Sequence, residues 1–233
     1  MTGVFVNVLT VLIGSAIGLL CRRGIPKRIT DAVMTGIGLC TVYIGVDGTL
    51  AGDNPLVAII SMALGAIIGT LLDIDGAINR LGDGVERRFS GSGEGTIAQG
   101  FVTASLLFCV GAMTVVGSLN AGLTGDNSLL FTKSTLDFVS SMMLSASLGF
   151  GVMLAAAFVL VFQGGIVLLS GFIAPFLNEV AIADMTCVGS LLIIAIGFNI
   201  IGITKIKVSD YSPAIFLAPV VSGLFAVVSK LLG

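Results

Sequence analysis

Residues 4–21 carry no charged side chain, and apolar runs of the same kind recur along the whole chain. About 20 such residues are what an α-helix needs to cross the hydrocarbon core of a bilayer. The chain is therefore expected to be an all-α, polytopic transmembrane helical bundle, a single transmembrane domain over residues 1–233 with the lipid bilayer as its main partner. Composition agrees, since 56% of the residues are hydrophobic, 10% are charged and the mean hydropathy is +1.13. A soluble domain carries about 25% charged residues.

The same composition removes several functions. With no His, the chain lacks the commonest general base, the usual zinc ligand and any Ser-His-Asp triad. A net charge of −2 and a pI near 4.9 leave no basic surface for nucleic acid. No glycine-rich segment ends in Gly-Lys-Ser/Thr, as a P-loop would. Cys21, Cys40, Cys109 and Cys187 never stand in a Cys-x-x-Cys spacing, and in apolar runs Cys serves as a small hydrophobe. No cofactor and no metal is expected, and the chain does not read as an enzyme.

Eight spans fit best, over residues 4–21, 31–46, 55–72, 97–119, 137–162, 164–177, 185–203 and 213–228. Seven, with 164–177 re-entrant, is the alternative. Cytoplasmic loops hold the excess of Lys and Arg. With eight spans, Arg22, Arg23, Lys27, Arg28, Arg80, Arg87, Arg88, Lys205 and Lys207 share one side, leaving only Lys133 and Lys230 opposite. That bias places both termini outside the cytoplasm and the long polar stretch 73–95 inside. There Ile74, Ile78, Leu81, Val85 and Phe89 recur at helical spacing, the pattern of an amphipathic helix resting on the bilayer surface.

The chain also repeats itself. Aligned without gaps at an offset of 73, residues 37–57 and 110–130 share eight identities. They include Gly38/Gly111, Thr41/Thr114 and the triplet Gly52-Asp53-Asn54/Gly125-Asp126-Asn127. A fainter third copy begins at Ile196-Gly197-Phe198. Counting spans, this copy enters from the opposite side, so spans one to three and six to eight are expected to be inverted relatives. Inverted repeats with broken helices are the architecture of many secondary transporters, whose sites lie near the midplane. Gly149-Phe150-Gly151 is expected to interrupt span five, and Gln163-Gly164-Gly165 to break the chain before span six.

Polar side chains inside the bilayer must each find a partner, which makes them functional suspects. Thr103, Ser105 and Thr114 lie in span four, where residues 103 and 114 can share a face. Lys133 and Asp137 are spaced to pair on one helical turn, with Ser134 beside them and Ser141 continuing inward. Gln163 stands at the glycine break, and Asn199 near the middle of span seven. The plain alternatives are packing hydroxyls and a surface ion pair. Adjacent helical residues point about 100° apart, so Lys133-Ser134 is a poor Ser-Lys dyad.

The segment Phe101-Val102-Thr103-Ala104-Ser105-Leu106-Leu107-Phe108-Cys109-Val110-Gly111-Ala112-Met113 carries a family resemblance. So do Gly125-Asp126, Lys133-Ser134 with Leu136-Asp137, Gln163-Gly164, and Ile196-Gly197 with Asn199. Together they resemble the bacterial YdfK/YqgA-type multi-pass membrane proteins, the DUF554 family. Where that family has Tyr-Gln-Gly, this chain reads Phe162-Gln163-Gly164, keeping the aromatic and losing a hydroxyl. The resemblance covers nearly the whole chain. It implies a protein of the bacterial inner (plasma) membrane and brings no activity with it.

Repeats, glycine breaks and sparse intramembrane charge point to a transporter or channel for a small ion or polar solute. Its path would be lined by Thr103, Ser105, Thr114, Lys133, Ser134, Asp137, Ser141, Gln163 and Asn199, with Asp137 the first candidate for ion or proton coupling. A structural or regulatory protein acting through a partner at 73–95 is the second reading, and an intramembrane hydrolase a distant third. Small residues on several spans leave homo-oligomerisation open.

Overall fold

The computed structural model describes residues 1–22, 27–52, 54–80, 96–109, 112–173, 175 and 178–232. Among them all regular structure is helical. The order is α1 (Thr2–Arg22), α2 (Lys27–Thr49), α3 (Pro55–Leu71), α4 (Ile74–Arg80), α5 (Thr96–Cys109) and α6 (Ala112–Leu123). Then follow α7 (Ser128–Leu148), α8 (Gly151–Ile173), α9 (Glu179–Ile201), a 3₁₀ turn at Val208–Tyr211 and α10 (Pro213–Leu232). Four of the described segments are long and apolar enough to cross a membrane, or six if α3 with α4 and α5 with α6 each make one bent span. α2 and α7 have the length, at 23 and 21 residues, but carry more polar side chains. α4 occupies the start of the polar stretch, and residues 81–95 of the expected amphipathic helix lie outside the described residues.

One of the two expected glycine breaks forms and the other does not. Residues 137–162 are interrupted where expected, because α7 ends at Leu148 and Gly149 adopts φ 80 and ψ −152, a conformation open essentially to glycine alone. Gln163-Gly164-Gly165, expected to break the chain, instead lies inside an unbroken α8. A Cβ at Gly165 would meet no atom within 4 Å. These glycines are therefore not sites of close approach, and the helix runs through them.

The helices gather into two compact units interleaved along the chain. The first comprises Met1–Ile37, Gly76–Cys109 and Met113–Phe172. Its seam joins α1 to α7 through one stripe of α1, Gly3, Asn7, Val11, Gly14 and Gly18. A Cβ on Gly14 would sit 2.5 Å from the Phe138 carbonyl oxygen, and one on Gly18 would collide with that of Met142. The glycines thus let two backbones touch, the usual means of tight helix packing in lipid. The Gly3 amide donates to Asn127 Oδ1 over 2.9 Å, and Ser145 Oγ to the Ser15 carbonyl over 2.8 Å. Contacts advance together along both helices, so α1 and α7 run parallel.

α5 and α6 are bent by 60° relative to one another. Gly100 packs beside Leu148 and Gly151, whereas Gly122 packs on Val167 and Ser170. The bent pair therefore packs along the length of the α7–α8 hairpin, from its turn to its open end.

The second unit comprises Gly38–Asp75, Val110–Ala112 and Ile173–Gly233. Here Gly38 meets Gly197 and Ile201, Gly45 meets Ser190 and Ile194, and Gly52 meets Cys187. α2 and α9 are thus antiparallel. Gly65 lies on Ala214 and Gly69 on the Asp210 carbonyl, so α3 and α10 are antiparallel too. Both relations are what an inverted repeat of α2–α3 and α9–α10 demands. The matched glycines of the first and third copies face each other, a Cβ on Gly197 falling 2.9 Å from the Gly38 carbonyl oxygen.

The repeated Gly-Asp-Asn triplet ends in two helix starts. Asn54 caps α3 by accepting from the Leu56 amide at 3.0 Å, and Asn127 precedes α7 in the same position. In the turn between α6 and α7, Ser128 donates its hydroxyl (2.5 Å) and its amide (2.9 Å) to Asp126. These bonds hold the Asp126 carboxyl below the usual carboxylate range. Large apolar side chains such as Leu20, Tyr43, Val161, Leu168 and Phe172 are exposed, while Asn7, Ser15, Ser118, Ser141 and Gln163 are fully buried. A chain dissolved in lipid is expected to turn its apolar side chains outward in this way.

Candidate functional site

The inward face of α7 reads Leu130, Lys133, Ser134, Asp137, Ser141, Leu144, Ser145 and Leu148. Leucines close both ends of this stripe, and the polar residues between them face the inside of the first unit. Lys133 Nζ donates to Asp137 Oδ2 at 2.5 Å, one helical turn away, with each residue 5% exposed. The Phe108 ring of α5 lies 6.0 Å from the same ammonium, within reach of its π face.

α1 and α8 complete the cluster. Asn7 Nδ2 donates to Asp137 Oδ2 at 3.0 Å and to Gln163 Oε1 at 3.2 Å. Three helices thus meet at one amide, and both bonds to Asp137 land on Oδ2. Asn7 Oδ1 and Gln163 Nε2 are buried without any hydrogen-bond partner, as are the hydroxyls of Ser15, Ser105 and Ser118. Each such group costs about 1–3 kcal/mol. A buried ion pair is itself costly unless its geometry is good and its remaining valences are met. The fold keeps an expensive polar cluster where leucines would pack at less cost.

The break between α5 and α6 borders this cluster. Thr114 Oγ1 donates to the Phe108 carbonyl at 3.1 Å. In a continuous helix that hydroxyl reaches carbonyls three or four residues back, not six. The bond therefore exists because the helix is broken, and it satisfies an acceptor that hydrocarbon would leave bare.

Of the residues expected to line a path, Thr103, Ser105, Thr114, Lys133, Ser134, Asp137, Ser141 and Gln163 are all buried in the first unit. Lys133, Asp137 and Gln163 join one network through Asn7, whereas two hydroxyls turn back on their own helix. Ser134 Oγ donates to the Leu130 carbonyl at 2.7 Å and Ser141 Oγ to that of Phe138 at 2.9 Å. Asn199 belongs to the second unit and its amide is spent locally. It donates to the Ile206 carbonyl at 2.7 Å and accepts from Thr204 Oγ1 (2.7 Å) and the Ile206 amide (2.9 Å), closing the turn after α9. Among the described residues no group of three or more Cys, Asp or Glu is placed to hold a metal.

A family model described as a protein of unknown function (DUF554) matches residues 2–223. The chain belongs to the DUF554 family. It is 32% identical over 225 residues to the uncharacterized membrane protein YdfK of Bacillus subtilis (strain 168), covering 95% of each chain. It is 30% identical over 220 residues to the uncharacterized protein YqgA of Escherichia coli (strain K12), covering 93% of this chain and 94% of that one. No solved structure matches. This DUF554 chain is therefore a membrane protein, and what it does must be argued from the cluster itself.

Sequence reasoning missed Asn7, Ser15 and Ser118 in the first unit and the buried Asp184 and Asp210 in the second. One signal was available for Asn7. It is a lone amide in an apolar span, on the same helical stripe as Gly3, Gly14 and Gly18, and small residues mark a helix interface in lipid. In the second unit Asp210 Oδ1 accepts from the Asp75 amide at 2.8 Å, tying the 3₁₀ turn to the start of α4.

Proposed function

We propose that the protein transports a small ion or polar solute across the bacterial inner membrane, and that the Lys133–Asp137–Asn7–Gln163 cluster is where the cargo is held. The observation that carries this reading is the pair of unpartnered amide atoms, Asn7 Oδ1 and Gln163 Nε2, beside a buried ion pair. Intramembrane charge that is paired yet incompletely satisfied is the usual mark of a solute pathway. A bent α5–α6 beside it and antiparallel repeat pairs in the second unit suit a transporter. The positive-inside bias of the loops favours an orientation with both termini outside the cytoplasm.

An intramembrane hydrolase finds no support, since Lys133 Nζ is committed to Asp137 and Ser134 Oγ to a backbone carbonyl. A partner-binding role through residues 73–95 rests on the charge of that stretch alone, most of which lies outside the described residues. Purified protein in proteoliposomes, challenged with separate Na⁺, K⁺, H⁺ and halide gradients and with labelled polar solutes, tests the proposal. Protein-dependent flux of one of them is expected.

A further inference from the structure

Resting on that transport reading, we propose that the cargo is a small zwitterion, a molecule with an ammonium and a carboxylate on one compact skeleton, as in a short α-amino acid. The cluster offers both donors and acceptors to such a molecule. Its donors are the Lys133 ammonium and the unpartnered Gln163 Nε2. Its acceptors are the Asp137 carboxylate, whose bonds to Lys133 and Asn7 both use Oδ2, and the unpartnered Asn7 Oδ1. Asn7 and Gln163 are fully buried, and their mutual bond holds the two spare amide atoms within one cluster.

Charge decides between cargo classes. Lys133 and Asp137 neutralise each other, so a lone cation or anion entering the site would leave a net charge in a region of low dielectric. A zwitterion brings none. Its carboxylate can take the place of Asp137 at Lys133 while its ammonium takes the place of Lys133 at Asp137, and each buried charge keeps an opposite partner throughout. Gln163 Nε2 then donates to the cargo's carboxylate and Asn7 Oδ1 accepts from its ammonium, which satisfies both orphaned atoms at once.

The test is counterflow of radiolabelled glycine, L-alanine and L-serine in proteoliposomes, beside methylammonium and acetate as the two halves of the zwitterion, and Na⁺. Saturable counterflow of at least one amino acid is expected, with none for methylammonium, acetate or Na⁺. It should vanish in the Lys133→Met/Asp137→Leu double variant, which leaves no unpaired charge to unfold the bundle. Gln163→Leu should raise the half-saturating concentration about tenfold or more, the usual loss for a hydrogen bond to a charged group. That second variant keeps the test open if the double variant fails to elute as a monodisperse peak. Asp137-dependent movement of acetate, methylammonium or Na⁺ with no amino-acid counterflow overturns the zwitterion and leaves transport standing. No protein-dependent flux of any probe overturns both.

Discussion

The Asn7 amide donates to the Asp137 carboxylate over 3.0 Å, across 130 residues of sequence. This bond joins the first helix to the buried Lys133–Asp137 pair, and glycines on either side of Asn7 let the two helices come close enough to make it. Burial of the Lys133–Asp137 pair sets the energetics of the site. Removing one partner strands the other charge, at a cost of about 3–5 kcal/mol. Lys133→Met and Asp137→Leu should each lower the unfolding temperature in detergent markedly, while the double variant should recover most of the loss. Equal and additive losses would show that the two side chains are not coupled.

Close backbone contact between α1 and α7 depends on Gly14, where a Cβ would stand 2.5 Å from the Phe138 carbonyl oxygen. Gly14→Val should therefore abolish folded protein, read as loss of the monodisperse peak on size exclusion. Gly165→Ala is the matched control. That glycine lies in the interior of α8 with open space around it, so the substitution should stabilise by about 0.5–1 kcal/mol.

Thr114 closes the break between α5 and α6 by donating to the Phe108 carbonyl at 3.1 Å. Thr114→Val keeps the shape and loses the donor, leaving a buried acceptor unsatisfied at about 1–3 kcal/mol. Thr114→Ser should restore the thermal stability that Thr114→Val loses. If Ser and Val behave alike, the hydroxyl is not what holds the break.

Asn199 uses its amide to close the turn that follows α9. Asn199→Ala should make residues 202–207 more susceptible to protease while leaving transport intact. Loss of transport with an unchanged digestion pattern would return Asn199 to the path.

The fold was legible where one-dimensional composition decides it. Long uncharged runs mark spans because lipid tolerates little else, and the Gly38/Gly197 match anticipated two helices that do meet antiparallel. The start of α7 was misplaced by about nine residues because Lys133 and Asp137 read as the edge of the membrane. Their burial depends on Asn7 and Gln163, which come from α1 and α8, and no local pattern shows such a meeting. Of the two glycine clusters expected to break the helices, only Gly149–Gly151 does so. A pair of glycines does not reveal whether it faces open space, as Gly165 does, or needs a positive φ, as Gly149 does. The bond from Thr114 to Phe108 was hidden for the same reason, since it exists only once the helix is broken.

The most direct test of the account compares proteoliposome flux for the unaltered chain, Asp137→Asn and Asn199→Ala, each shown to be folded by size exclusion. The expected result is protein-dependent flux that Asp137→Asn removes and Asn199→Ala preserves, which would place the path through the α1–α7–α8 cluster. Flux indifferent to Asp137, or silence from folded protein across ions and polar solutes alike, would contradict it.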